Sequence, residues 1–126
     1  MFNPREHVVL IADDDPDLRM LITTILERQG YGVIEACDGQ EAVEMIRGES
    51  PGLALLDVNM PHLDGVQVAE QLRADDSPTP FIFVTALTRR AALDRMVATN
   101  PAGYIAKPFP TEKLREQVRA ALSSAA

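Results

Sequence analysis

Five short apolar runs, separated by segments with helical periodicity, are the feature of this sequence that most restricts its fold. The runs lie at 8–12, 31–36, 53–56, 81–84 and 103–106. No two-residue hairpin signal joins one run to the next, and apolar residues in the segments between them recur at helical spacing. Strands that alternate with helices in this way form a parallel sheet covered by helices on both faces. The sequence therefore predicts an α/β fold, a (βα)5 doubly wound five-stranded parallel sheet.

Capping and breaking residues mark the predicted helices. Asp15-Pro16 is typical of an N-cap and first helical position, Gly30 of a helix end, and Asp38 with Glu41 of a capping box. The segment 77–80 contains two prolines and predicts a connection. The residues expected to face the sheet are Leu18, Leu21, Ile22, Ile25 and Leu26, then Ala42, Val43 and Ile46, then Val66, Ala69 and Leu72, then Leu93, Met96 and Val97 in a helix over 89–99, and finally Leu114, Val118, Ala121 and Leu122.

Length and composition restrict the class of protein. The 126 residues suit a single domain over 1–126, with a short polar N-terminus at 1–6 and a Ser/Ala tail at 123–126. The longest apolar runs are strand-sized, which predicts no membrane span, and the absence of a signal-peptide pattern predicts a cytoplasmic protein. The net charge of -7 argues against direct nucleic-acid binding by this domain and favours cations and basic protein surfaces as partners.

Polar side chains follow four of the five apolar runs. They are Asp13 and Asp14, Asp57, Thr85, and Lys107. The carboxyl ends of parallel strands share one edge of the sheet, where open α/β sheets bind ligands. Two carboxylates about 4 Å apart repel by roughly 4 kcal/mol at an effective dielectric constant near 20, so three of them require a divalent cation or protonation. Hard oxygen ligands favour Mg²⁺, and Lys107 would supply the positive charge that a phosphoryl group needs.

Five short motifs occur here in a fixed order. They are the acidic pair 13–14, the central Asp57, the Met60-Pro61-x-x-Asp64-Gly65 loop, Thr85-Ala86, and Lys107-Pro108-Phe109. In this arrangement the sequence resembles the receiver domain of two-component response regulators, of the chemotaxis-regulator-like kind, over nearly the whole chain. The resemblance implies a flavodoxin-like strand order of 2-1-3-4-5.

The resemblance also implies roles for individual residues. Asp57 would be the phosphoacceptor, and Mg²⁺ would be held by Asp13, Asp14, Asp57 and the backbone carbonyl of Asn59. Thr85 and Lys107 would bond the phosphoryl oxygens, the Lys107-Pro108 peptide would be cis, and Tyr104 would change rotamer together with Thr85. In the family the residues at 59 and 87 influence the lifetime of the phosphoryl group. Two departures from the family pattern are Asn100-Pro101, where a glycine is usual, and Pro110, where a capping acid is common.

Three functions are compatible with these residues. The first is a signalling switch that takes a phosphoryl group from a sensor histidine kinase or phosphotransfer protein and acts on a downstream protein or attached output domain. Such a domain is not an enzyme for other substrates, since it catalyses only its own phosphorylation and dephosphorylation, and it can dimerise on phosphorylation. The second is a haloacid-dehalogenase-like Mg²⁺-dependent phosphatase, disfavoured because Asn59 stands where that chemistry needs an acid. The third is a receiver-fold interaction module independent of phosphorylation, disfavoured because no catalytic position is lost.

Overall fold

The computed structural model describes residues 7–86 and 89–124, in which five strands alternate with five helices. The strands are β1 (Val8–Ala12), β2 (Gly32–Ala36), β3 (Leu53–Leu56), β4 (Phe81–Thr85) and β5 (Gly103–Ala106). The helices are α1 (Pro16–Arg28), α2 (Gly39–Glu49), α3 (Gly65–Ala74), α4 (Arg90–Ala98) and α5 (Thr111–Ser124). The tail expected from residue 123 does not begin there, because α5 continues through Ser124. The polar segment expected at 1–6 lies outside the described residues.

All strand pairs are parallel, in the order β2-β1-β3-β4-β5, which confirms the predicted fold. Ala12, the last residue of β1, pairs with Leu56 at the end of β3. The chain order reverses between these two strands, and such a switch point opens the crevice in which doubly wound sheets bind ligands. Asp13 and Asp57 are the residues that immediately follow the paired strand ends.

The sheet is buried on both faces, which explains why its strands read as continuous apolar runs. Alternate residues of β3 enter different clusters: Ala54 and Leu56 pack on the side of α2 and α3, whereas Leu53 and Leu55 pack on the side of α1 and α5. The predicted inward faces of α2, α3 and α5 are buried or partly buried.

Three residues predicted to face the sheet do not. Leu21 of α1 is 52% exposed, and in α4 Val97 is 62% and Leu93 is 36% exposed. Successive helical residues are rotated by about 100°, so residues flanking a narrow buried stripe turn away from the sheet. In α4 only Met96 is fully buried among the described side chains, so the predicted three-residue face was too wide.

The helix starts follow the predicted capping chemistry with one change. The Asp15 carboxylate accepts hydrogen bonds from the N–H groups of residues 17 and 18, and Asp38 accepts one from the Glu41 N–H at 2.8 Å. The Glu41 carboxylate accepts from the N–H of Cys37 at 3.3 Å and not from that of Asp38, so the expected capping box is displaced by one residue. A reciprocal capping box joins Asp64 and Gln67 at the start of α3.

The ends of α3 and α4 are tied together by Arg73. Its Nε donates to the carbonyl oxygen of Thr99 at 2.7 Å, its Nη2 donates to that of Asn100 at 2.6 Å, and its guanidinium lies 5.0 Å from the ring centroid of Phe81. Asn100 has a left-handed backbone conformation with φ of 55°, which asparagine adopts more readily than most residues. This conformation explains how Asn100 can replace the usual glycine before β5.

We expect Arg73→Met to lower the free energy of unfolding by about 1.5 to 2 kcal/mol. The substitution removes two charge-assisted hydrogen bonds, one of them solvent-exposed and therefore weak. Urea denaturation measures the loss. Arg95→Met is the matched control, because the Arg95 guanidinium makes, among the described residues, only an exposed ion pair with Glu70 at 3.6 Å. Equal effects of the two substitutions would show that the Arg73 bonds contribute nothing particular.

Candidate functional site

Three carboxylates meet at the carboxyl edge of β1 and β3. One oxygen from each of Asp13, Asp14 and Asp57 lies within 4.8 Å of the others. The Asp57 N–H donates to the carbonyl of Ala12 at 2.9 Å, which continues the sheet pairing and brings the two strand ends together. Asp13 is 2% and Asp57 6% exposed, whereas Asp14 is exposed to solvent.

Lys107 reaches this cluster from the end of β5. Its Nζ lies 2.8 Å from Asp13 Oδ2 and 3.3 Å from Asp57 Oδ2. The Lys107 N–H donates to the carbonyl of Thr85 at 3.0 Å, and the Lys107-Pro108 peptide is cis. With all three carboxylates ionised, one ammonium leaves two negative charges, which matches the charge of a divalent cation.

Burial and charge act in opposite directions on these groups. The pKa of the Asp57 carboxyl is raised, first by burial and then by the negative charge of Asp13, although the Lys107 charge and the Asn59 N–H partly oppose the rise. Burial lowers the pKa of Lys107, but its hydrogen bond to Asp13 and the charges of Asp57 and Asp13 outweigh burial, so the net pKa of Lys107 is raised. Lys107 is therefore ammonium at neutral pH.

The donor set fits a hard divalent cation. Asp13 Oδ1 accepts from the N–H of Asp15 at 2.9 Å, and Asp57 Oδ1 accepts from the N–H of Asn59 at 3.3 Å, so both buried carboxylates are held in place. Asp14, the exposed member, leaves one side of the cluster open to solvent. Carboxylate oxygens with open positions for water or phosphate oxygens are the environment that Mg²⁺ prefers.

Three of the other predicted residues lie in β4, in β5 and in the loop after β3. Thr85 is the buried last residue of β4, the strand next to β3. Tyr104 in β5 is 39% exposed, and its ring centroid lies 6.2 Å from that of Phe83. Asn59 is exposed in the loop after β3, and Leu87 lies outside the described residues.

Sequence reasoning missed one structural requirement of the site. Gly65 begins α3 directly beneath the end of β3, where its N–H donates to the carbonyl of Val58 at 3.0 Å. A Cβ on Gly65 would overlap the carbonyl group of Asp57. The sequence places Asp64-Gly65 only within the 60–65 loop motif, yet a glycine at a helix start so close to a site aspartate is also typical of two backbones in close contact.

The fold and the carboxylate cluster together define a flavodoxin-like domain with an acidic site at its switch point. The family model for the response regulator receiver domain matches residues 9–119, and the chain belongs to this family.

Relatives and solved structures agree with this assignment. A probable transcriptional regulator ycf27 of Guillardia theta is 38% identical over 114 residues, covering 90% of this chain and 44% of that protein. A response regulator MprA of Mycobacterium ulcerans is 40% identical over 117 residues, covering 90% of this chain and 49% of that protein. A CheY-like receiver domain structure from Methanospirillum hungatei superposes with a TM-score of 0.89 at 27% identity, covering 94% of each chain. The chain thus spans about half the length of the curated relatives it matches.

The structure also bears on membrane insertion. In the part of the chain that is described, no helix has the length and apolar character needed to span a bilayer.

Proposed function

We propose that this receiver domain is a phosphorylation-dependent switch in which Asp57 is the phosphoacceptor. The observation that carries the proposal is the environment of Asp57, a buried carboxylate with Lys107 Nζ at 3.3 Å and two further carboxylates within 4.8 Å. The proposed donor is a phosphohistidine of a partner protein. An Asp57 oxygen attacks its phosphorus and forms a P–O bond while the P–N bond to the histidine breaks, and the imidazole nitrogen keeps the electron pair of that bond. Water later cleaves the acyl phosphate, which releases inorganic phosphate and returns the Asp57 carboxylate.

The acidic residues favour Mg²⁺ as the cofactor of this step. Asp13, Asp14, Asp57 and the backbone carbonyl of Asn59 would hold the ion, and when bound it would neutralise charge on the phosphoryl oxygens. Asp13 and Asp57 are already fixed by backbone N–H donors, and Lys107 is held between them. These contacts support an electrophilic site that needs little rearrangement before the phosphoryl group arrives.

Thr85 and Lys107 are proposed to report the phosphoryl group to the rest of the domain. A hydrogen bond to a charged group contributes about 1.5 to 3 kcal/mol, so two such bonds supply about 3 to 6 kcal/mol. Inverting an equilibrium from 1:99 to 99:1 takes about 5.5 kcal/mol. Tyr104, 39% exposed on β5, is the proposed switch side chain, and the surface of α4, β5 and α5 is the proposed output face.

The partners follow from this chemistry. The donor is proposed to be a sensor histidine kinase or phosphotransfer protein, and the recipient of the signal a downstream protein or an attached output domain. The length of the relatives supports an attached domain. We also propose that the protein is cytoplasmic and that it dimerises on phosphorylation. We propose no direct nucleic-acid binding by this domain, because its net charge is -7.

The acceptor is tested by chemical phosphorylation. With Mg²⁺ and acetyl phosphate, we expect intact-mass spectra to show one phosphoryl group that is lost in base, because an acyl phosphate is base-labile. Asp57→Asn removes the nucleophilic oxygen and should abolish labelling. Asp64→Asn is the matched control, since asparagine also caps helices and preserves the start of α3.

Two outcomes would contradict the proposal. Equal labelling of wild type and Asp57→Asn would place the phosphoryl group elsewhere. Sustained hydrolysis of unrelated phosphate esters by the wild type would favour a phosphatase, which the exposed amide of Asn59 does not support because an amide cannot protonate a leaving group.

A further inference from the structure

Arg19 contacts the backbone of the loop that carries Asp13 and Asp14. Its Nη1 donates to the carbonyl oxygen of Asp13 at 2.6 Å, and its Nε donates to Glu35 Oε1 at 3.2 Å. The side chain of Arg19 is only 17% exposed. A residue near the start of α1 thereby links the loop after β1 to the neighbouring strand β2.

This contact is made to the peptide unit that joins Asp13 to Asp14. The carbonyl of Asp13 and the N–H of Asp14 belong to one planar peptide unit, so a donor that fixes the carbonyl also fixes the direction in which the chain enters Asp14. The Asp13 side chain is held separately by Asp15 and Lys107. Asp14 is exposed, so the position of its carboxylate depends strongly on its backbone.

The charge of Arg19 works against any role in attracting a cation. A guanidinium near a metal site repels the metal, and its removal should therefore tighten metal binding if charge alone mattered. Glu35 lies within ion-pair distance and offsets that charge while leaving the hydrogen bond to Asp13 in place. Arg19 paired with Glu35 therefore supplies a charge-assisted hydrogen-bond donor, while the pair as a whole carries little net charge.

We propose that Arg19 is a positioning residue, which orients the Asp13–Asp14 peptide for metal binding, and that Glu35 masks its charge. This inference rests on the proposed function of the acidic edge as a Mg²⁺ site. It gives Arg19 no contact with the metal or the phosphoryl group. Loss of the Arg19 hydrogen bond should weaken Mg²⁺ binding, whereas loss of the Arg19 charge alone should strengthen it. The positioning role and the effect of the charge can therefore be separated.

The test is a Mg²⁺ titration of the whole domain, in which binding is measured by ¹⁵N amide chemical shifts and by calorimetry. We expect Arg19→Gln to raise the Kd for Mg²⁺ about tenfold, in the range seen when an outer residue that orients a metal ligand is lost. Arg28→Gln removes the same charge from the exposed far end of the same helix, and its Kd should match the wild type. An Arg19→Gln Kd equal to or below that of wild type would overturn the inference.

Glu35→Gln provides a second, independent variant. It keeps the hydrogen bond from Arg19 to Asp13 but leaves the Arg19 charge without its negative partner. The Kd for Mg²⁺ should therefore rise about twofold to threefold at low salt and return to the wild-type value at high salt. The higher Kd of Arg19→Gln should persist at high salt, because it results from the lost orientation of the peptide and not from a change in charge. A Glu35→Gln Kd that equals the wild type at low salt would contradict the masking role.

Asp14→Ala separates failure of this inference from failure of the proposed function. An unchanged Kd in Asp14→Ala would remove the acidic edge as the metal site altogether. Loss of binding in Asp14→Ala together with unchanged binding in Arg19→Gln would overturn only the role of Arg19. Urea unfolding in chelator identifies conditions under which every variant is folded during the titration.

Discussion

Replacing Lys107 with methionine is expected to lower the free energy of unfolding of the metal-free domain by about 2 to 4 kcal/mol at pH 7. The substitution leaves Asp13 and Asp57 buried beside each other without the ammonium that contacts both. Breaking a buried ion pair by removing one partner costs about 3 to 5 kcal/mol, and the 20% exposure of the Lys107 side chain reduces that figure. Urea denaturation in chelator measures the loss, with the exposed Lys113→Met of α5 as control.

The pH dependence of this loss follows from the raised pKa of Asp57. An acid whose native pKa exceeds its unfolded value of about 3.9 makes the folded state bind protons more tightly, so its contribution to stability falls as pH rises from about 4 through the native pKa. Removing Lys107 raises the native pKa of Asp57 further and widens the pH range over which this stability is lost. The cost of Lys107→Met should therefore shrink towards pH 4, and Mg²⁺ should recover more stability in the variant than in wild type. A cost independent of both pH and Mg²⁺ would show that Lys107 contributes by packing alone.

The fold was predictable because its signals are local and repeated. A strand buried on both faces must be apolar throughout, and a parallel strand must be followed by a crossover, so the five runs predict a five-stranded parallel sheet, whereas its strand order came from the family resemblance. The predicted limits of the fifth strand, 103–106, coincide with β5. The placement of Asp13, Asp57 and Lys107 follows directly, since each residue comes immediately after a strand end on the same edge.

The contacts of the long side chains could not be predicted in the same way. Arg19 and Arg73 bond backbone carbonyls, and a carbonyl has no sequence identity that a pattern could reveal. The exposure of Leu21 and Val97 depends on how widely each helix faces the sheet, which its own periodicity does not determine. Sequence reasoning therefore predicts which groups reach the site but misses the residues that hold its backbone.

Gly65 is the clearest case of such a backbone requirement, and Gly65→Ala is expected to lower the free energy of unfolding by about 3 kcal/mol. The new methyl group would overlap the carbonyl of Asp57 and would lie 3.1 Å from the Cα of Val58. Neither backbone can yield easily, because the Asp57 N–H is bonded to Ala12 and the Gly65 N–H to Val58. Overpacking of a tight site costs about 1 to 3 kcal/mol, and the upper end applies where the obstacle is backbone.

Gly48→Ala is the matched control for Gly65→Ala, and it should change stability in the opposite direction. Gly48 lies in α2, and a Cβ built there meets no atom within 4 Å among the described residues. Alanine is favoured over glycine in a helix by up to about 1 kcal/mol, so this variant should be slightly more stable than wild type. Because a methyl at residue 65 would displace the carbonyl of Asp57, it should also weaken Mg²⁺ binding, whereas Gly48→Ala should not. If alanine were tolerated equally at both positions, the start of α3 would have to be free to move away from Asp57, and the close backbone contact would not be a requirement of the site.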